Sequence, residues 1–288
     1  AEEAENLGVE LYNGISVSEI IYNDAKDTVI GVATKDLGIN KDGLPGDNFE
    51  RGMEFHSRQV VLAEGCHGSL SKKIINKYNL REGKNDQSYG LGIKEVWEVP
   101  KEQHKPGYIS HTMGYPLDLT TYGGGFQYHF GENQVAVGLV IGLDYKNPYI
   151  SPYKEFQKMK HHPFYADVLK NGTCISYAAR ALNEGGFQCI PKLNFPGGCL
   201  IGASAGLMNV PKIKGTHTAI KSGILAADAI VEEFAAKQFP TVEEIGEEEV
   251  LEQSLEVLNL DNYQKMFNES WVYKELYGVR NIRPSFNT

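Results

Sequence analysis

Phe195-Pro-Gly-Gly-Cys-Leu-Ile-Gly-Ala-Ser-Ala-Gly-Leu-Met-Asn-Val-Pro-Lys-Ile-Lys-Gly-Thr-His-Thr-Ala-Ile-Lys-Ser-Gly223 is the stretch that decides how the chain folds. It reads as a short buried strand, Cys199 to Ile201, followed by a glycine-rich turn, a proline-bearing loop and a long helix. Ile220, Gly223, Ile224, Ala227, Ile230, Val231 and Phe234 recur at intervals of three and four, which predicts one apolar face. Pro211 cannot lie inside that helix, so its start is expected near Lys214 or Gly215. Gly202, Gly206 and Gly215 would let backbone approach a ligand, with the helix's free N–H groups and positive end turned towards it. An anion or an electron-rich ring suits such a place. An ordinary strand-to-helix connection uses glycine in the same way, so the pattern alone leaves both readings open.

Upstream, Phe55 to Ala63 turns apolar at Val60-Val-Leu-Ala, as a strand entering a core does. Glu64-Gly65 ends it, and Ser69 to Tyr78 has helical character with Ser69 as a cap. Val9 to Tyr12, Ser16 to Tyr22 and Thr28 to Lys35 are strand-like, and Ile39 to Asn48 reads as a loop. From Ser88 the pattern changes. Ser88 to Val99, Gly107 to Met113, Tyr122 to Phe130 and Gln134 to Leu143 predict an antiparallel sheet joined by short polar turns. Pro152 to Lys160 and Pro163 to Leu169 follow as short helices, each with Pro where its missing N–H costs least. Thr173 to Leu182 is then a further strand. Inside this sheet, Tyr122-Gly-Gly-Gly-Phe126 weakens its own strand. Close approach of a ligand or of another backbone explains such a run, and so does a bulge at a domain boundary.

The 288 residues are 41% hydrophobic with a net charge of −9, enough for a large core and unfavourable for binding nucleic acid. Cys66, Cys174, Cys189 and Cys199 are scattered without a Cys-x-x-Cys pair, which argues against zinc or iron–sulfur ligation by this chain. No apolar run has the length of a membrane span, and no targeting peptide is visible. Glu243 to Leu258 is a strongly acidic helical run, read as a solvated face. Ser270 to Tyr277 is an aromatic-rich helix whose Trp271, Tyr273 and Tyr277 suit either core or interface.

Asn209-Val-Pro-Lys-Ile-Lys-Gly-Thr-His-Thr-Ala219, with Ala181-Leu-Asn-Glu-Gly-Gly186 upstream, resembles the electron-transfer flavoprotein:ubiquinone oxidoreductase family. The resemblance runs from about Gly8 to Pro284. It implies an α+β and α/β, two-domain FAD-dependent oxidoreductase fold: a discontinuous, incomplete FAD domain plus an antiparallel-sheet quinone domain. FAD would meet Glu64, Gly65, Gly202, Ala203, Ser204, Gly206, Asn209, Lys214, Gly215 and Thr216. Ubiquinone would meet Gly123 and Gly124. The wider superfamily carries Gly-Asp where this chain has Gly202-Ala203, so Ser204 or backbone amides are expected at the ribityl hydroxyls. The helix start at Lys214 to Thr216 is expected to stabilise negative charge on reduced flavin.

No Gly-x-Gly-x-x-Gly opens a βαβ unit, and the family's four-cysteine iron–sulfur module has no ligands here. The chain therefore reads as an internal portion of a larger protein. Residues 1–80 and 183–238 are expected in the FAD domain, 81–182 in the quinone domain and 239–288 in a helical C-terminal segment. The resemblance further implies electron transfer from electron-transfer flavoprotein to ubiquinone, with the iron–sulfur cluster only in the full-length protein. It also implies a peripheral position on the matrix side of the mitochondrial inner membrane, or on a bacterial inner membrane in a prokaryote. A flavin hydroxylase or a prenyl-chain reductase of the same superfamily is the competing expectation, and a non-enzymatic binding module the third.

Overall fold

The structure is a computed structural model and describes residues 1–237 and 256–286. In chain order it contains α1 (Glu2–Asn6), β1 (Val17–Tyr22), β2 (Val29–Thr34), β3 (Leu37–Ile39), β4 (Pro45–Glu50), β5 (Glu54–His56), β6 (Val60–Leu62) and α2 (Ser69–Lys77). Next come β7 (Tyr89–Glu98), β8 (Ile109–Met113), β9 (Gly123–Phe130), β10 (Gln134–Gly142), α3 (Pro152–Lys160), α4 (Pro163–Leu169) and β11 (Thr173–Asn183). The chain ends with β12 (Asn194–Phe195), β13 (Gly198–Leu200), α5 (Thr216–Lys237), α6 (Asp261–Glu269), α7 (Trp271–Gly278) and α8 (Ile282–Ser285).

Two hydrophobic cores organise these elements. The first joins Val29, Val60, Leu62, Leu70 and Ile74 to Leu200, Leu207, Ala226, Tyr263 and Phe267. Its centre is the parallel pairing of β13 with β6, Cys199 opposite Val61, on which β12 folds back. The second core belongs to a five-stranded antiparallel sheet ordered β11-β7-β10-β9-β8. On β10, Val135, Val137, Leu139 and Ile141 point to the face covered by α3 and α4, where Phe156, Met159, Tyr165 and Leu169 meet them. The other face carries the alternate positions, and here the register is decisive. Opposed residues on antiparallel strands share a face. One row crosses the whole sheet as Arg180, Gly92, Val140, Gly124 and Met113, and its neighbours carry Gly90 opposite Gly142 and Gly138 opposite Phe126. Glycine thus recurs across this face and leaves it hollow where side chains would otherwise stand.

Several sequence expectations change. Phe55 to Ala63 is two short strands in different sheets, β5 against β2 and β6 against β13. Ser57 to Gln59 breaks the run. Val9 to Tyr12 forms no strand and stays exposed, and the Val9 N–H is used on Ala4 O at 3.0 Å behind α1. Ile39 to Asn48 contributes to the β3–β4 hairpin, closed by Asn40 N–H to Leu44 O at 2.9 Å. The largest change concerns α5. Its buried side is Thr218, Ser222, Leu225, Ala226 and Ala229, whereas Ile220, Ile224 and Val231 are 61%, 47% and 66% exposed. The helix has two low-polarity stripes. The stripe of small residues is the one that packs closely on the 202–205 turn and α6, and Ser222 Oγ accepts the Gly202 N–H at 2.9 Å. The acidic run Glu243 to Leu258 falls largely outside the described residues.

Candidate functional site

The quoted stretch folds as read at its centre: β13, a 3-10 turn over Gly202–Ala205, a loop and then α5. Gly206 ends the turn in the left-handed region, φ 76°. The loop is closed on itself by paired bonds between Asn209 and Lys214. A carboxylate on α7 fastens it: Glu275 Oε1 receives Asn209 Nδ2 at 2.7 Å, His217 Nε2 at 2.9 Å and Lys212 Nζ at 3.4 Å. The bond from His217 is the main reason the Glu275 carboxyl sits below its ordinary range. At the start of α5, Thr218 Oγ1 donates to the carbonyls of Leu207 and Gly215. Thr216 is the first helical residue and is exposed.

The expected cofactor residues divide into two groups. Gly65 and Ser204 border a polar cavity of about 220 Å³ together with Cys66, Ser71, Arg81 and Asn183. Ser204 Oγ donates to Gly65 O at 3.4 Å, and Gly65, at φ 83°, has open space where a Cβ would stand. Gly202 and Ala203 form the turn behind them. Lys214 lies elsewhere, donating to Tyr128 OH at 2.7 Å with its ammonium 4.9 Å from that ring. It therefore ties the loop to the glycine-paved sheet. Asn209 is fully buried and committed to Glu275. Glu64 caps α2: its carboxylate accepts Leu70 N–H at 3.2 Å, Ser71 N–H at 2.6 Å and Ser71 Oγ at 2.7 Å. Ser69, the expected cap, is instead the first helical residue, preceded by Gly68. A carboxylate at a helix's positive end satisfies free N–H donors and favours the local dipole.

Gly123 and Gly124 border a mostly apolar cavity of about 360 Å³, within the range of small-molecule sites. Val140 and Leu182 belong to its floor, Val210, Pro211 and Ile213 come from the loop before α5, and Phe286 comes from the end of the described chain. The fold thus brings the 122–125 segment against the 209–213 loop, two motifs that are far apart in sequence. The pairing of β9 with β8 and β10 is unbroken in register, so the glycines make no bulge. They are close-approach positions. A Cβ on Gly123 would run into Val140 O and the Leu117 side chain, and one on Gly124 into Thr112 O.

Sequence reasoning assigned no role to a polar group at one end of this cavity. Glu184 is 2% exposed and borders the cavity, and its Oε2 has no hydrogen-bond partner. Nearby, buried Arg283 donates to Asp144 Oδ2 at 2.5 Å and lies 4.2 Å over the Tyr122 ring. Burial pushes the Glu184 carboxyl up to about 7; Arg283 opposes the shift and Asp144 adds to it. Burial, with Glu184 adding to it, likewise raises Tyr122 to about 12.

Residues 89–182 match the family model for the ubiquinone-binding part of ETF-QO. A yeast relative, a probable electron transfer flavoprotein-ubiquinone oxidoreductase, mitochondrial, from Saccharomyces cerevisiae, is 63% identical over 99% of this chain and 45% of its own length. The chain therefore spans less than half the length of that relative. Among solved structures, a geranylgeranyl bacteriochlorophyll reductase-like protein from Thermoplasma acidophilum has a TM-score of 0.70 at 16% identity, covering all of this chain and 62% of that one. A flavoprotein/dehydrogenase from Cytophaga hutchinsonii has a TM-score of 0.55 at 16% identity, covering all of this chain and 59% of that one. These two likenesses show the fold, that of flavin-dependent oxidoreductases. The family likeness rests on sequence instead: over 99% of its length the chain is similar to a portion of the electron transfer flavoprotein-ubiquinone oxidoreductases, and residues 89–182 match their ubiquinone-binding part.

Proposed function

We propose that this chain supplies the flavin-ring side and the quinone cavity of a protein that passes electrons from reduced electron-transfer flavoprotein to ubiquinone. The observation that carries this reading is the apolar cavity between the glycine face of the five-stranded sheet and the 209–213 loop. A flat, weakly polar headgroup fits between backbone floor and aliphatic walls. The floor residues lie within the segment matched to the ubiquinone-binding model.

FAD fits the residues present. Beside Gly65 and Ser204, the Asn183 side chain is 3% exposed and its Oδ1 is unpartnered. The Gln87 amide faces Gly206 with its Nε2 unpartnered. Buried polar atoms of this kind call for a hydrogen-bonding ligand. Gly65, Ser204 and the Gly206 turn would hold the cofactor, and Lys214 to Thr216 would offer N–H groups and positive charge. Bound there, FAD would supply the electron transfer, and the chain's own contribution is to orient the two partners.

Membrane association at the mitochondrial inner membrane belongs to the same proposal. It is supported by Ile109, Met113 and Leu119, which are 62%, 71% and 90% exposed on β8 and the segment after it. Among the described residues no helix is long and apolar enough to cross a membrane. The iron–sulfur cluster is proposed for the rest of the protein.

The deciding experiment uses the complete protein with reduced electron-transfer flavoprotein and a soluble ubiquinone analogue. Quinone reduction without nicotinamide or oxygen is the expected result. Turnover only with a nicotinamide donor, on oxygen or a prenyl chain, would replace this reading by the hydroxylase or reductase one.

Gly215 offers a cleaner probe of the flavin side than a bulky replacement. A Cβ there meets only Leu207 and Met208 at 3.7–3.8 Å, ordinary contact distances. Gly215→Ala should therefore keep or slightly raise the melting temperature, while a closely held flavin loses affinity by about tenfold. Flavin titration of the apoprotein reads this directly, and unchanged affinity would remove the close approach of the ring at this helix start.

A further inference from the structure

We propose that Glu184 is the proton donor of the quinone cavity, handing a proton to a quinone oxygen as the headgroup is reduced. The proposal rests on the quinone reading above. Reducing a quinone to a quinol consumes two electrons and two protons. The cavity wall is otherwise mostly aliphatic or backbone, so a proton source must come from a few side chains.

Glu184 follows β11 directly, and its N–H is anchored on Ser88 O at 2.8 Å. Its side chain is seated where the sheet has no side chains of its own. A Cβ on Gly90 would collide with the carboxylate, and one on Gly142 would stand 3.2 Å from Oε2. Two strands therefore give up their side chains to admit one carboxyl group. Oε2 finds no partner there, although a buried acceptor ordinarily would. A group kept in place at that cost, beside Tyr122, Gly123 and Gly124, is positioned for a ligand that fills the cavity.

The charged and titratable groups around it are consistent with the role. Arg283 from α8 is turned to Asp144 and to the face of Tyr122, and so does not neutralise Glu184 by direct pairing. Asp144 follows β10 and Tyr122 precedes β9. With its carboxyl near 7, Glu184 is partly protonated at neutral pH, which suits a donor that must also be recharged. His111, at the cavity rim, is held below its ordinary range by burial and by Lys214. It is therefore largely neutral at that pH.

The step balances as follows. A reduced flavin held by the FAD residues would supply the two electrons. The O–H bond of the Glu184 carboxyl breaks as an O–H bond forms on one quinone oxygen. Solvent supplies the second proton at the open side of the cavity, and then reprotonates the Glu184 carboxylate.

The test compares complete, flavin-loaded wild-type protein with Glu184→Gln and Glu184→Asp. Gln keeps the shape and neutrality of the protonated form and cannot give up a proton. Three readouts are taken: quinone reduction across pH, reduction of ferricenium (an acceptor that takes no proton), and the infrared carbonyl stretch of protonated carboxyl groups. Quinone reduction by the wild type should fall as pH rises through about 7. At pH 7, Glu184→Gln should lose roughly a hundredfold of that rate, with a flat profile. Ferricenium reduction should report an intact flavin, and Glu184→Asp should recover part of the quinone rate. A carboxyl band titrating near pH 7 should vanish in Glu184→Gln. Wild-type quinone kinetics and pH profile in Glu184→Gln would overturn the proton role while leaving the quinone reading intact. Equal loss of both acceptors with loss of flavin, unrescued by Asp, would make Glu184 structural. A wild type that reduces ferricenium but no quinone would overturn the reading on which the proposal rests.

Discussion

Gly124→Val should destabilise the five-stranded sheet rather than merely block its ligand. The new Cβ runs into Thr112 O on the adjacent strand β8, and backbone cannot move aside as the tip of a side chain can. Overpacking of this kind costs about 3 kcal/mol at the upper end of its usual range, or roughly 6–12 °C in melting temperature for a domain of this size. Electron acceptance and quinone reduction should fall together, since the same sheet carries Tyr128, to which Lys214 binds. Calorimetry of the variant, alongside both half-reactions, checks this. A variant of unchanged melting temperature that loses only quinone reduction would restore the simpler view, in which the glycines exist solely to admit a headgroup. The residues alone leave ligand, backbone approach and bulge open for these glycines; the resemblance selects the headgroup, and the strand neighbours of Gly123 and Gly124 add close backbone packing to it.

These glycines show what was legible in the chain and what was not. β7, β9, β10 and β11 are predicted within a few residues of their observed ends, because alternation and turn chemistry act locally. So are α3 and α4, each opened by a proline. Which side of α5 faces inward is not local. Ile220, Ile224 and Val231 have the stronger hydrophobicity, yet Ser222, Ala226 and Ala229 lie inside because small side chains let β13 and the 202–205 turn come close. Glu64 is a related case. Its neighbour Gly65 suggests a ligand, but the carboxylate is committed to the free N–H groups of α2.

The glycine face is the feature furthest from view in the sequence. Gly90, Gly92, Gly138 and Gly142 look unrelated until the strands are in register, when alternation puts them on one side with Gly124. Only then is there a reason for a cavity on that side and for a buried carboxylate at its end. Asn-Glu-Gly-Gly contains Glu184 in plain sight, but its burial is set by two strands that lie far away in sequence.

Val140→Phe is the substitution that should empty the cavity of its ligand while leaving the sheet standing. Val140 is 3% exposed and stands on the glycine face between Gly92 and Gly124, so the larger ring has bare backbone on both flanks. The space open to it is the hollow of about 360 Å³ bounded above by Val210, Pro211 and Ile213. The ring extends towards that hollow, whereas a Cβ on Gly124 runs into Thr112 O. The melting temperature should therefore stay within a few degrees of wild type. A flat headgroup now competes with a phenyl ring for the same volume. At about 1–3 kcal/mol for overpacking, quinone affinity should drop roughly tenfold to a hundredfold. Steady-state quinone kinetics should show this as a raised KM, and the rate of flavin reduction by the donor protein reports the part of the site that the substitution does not touch. Unchanged quinone kinetics in a folded Val140→Phe protein would mean that the headgroup binds elsewhere and that the glycine face serves packing alone.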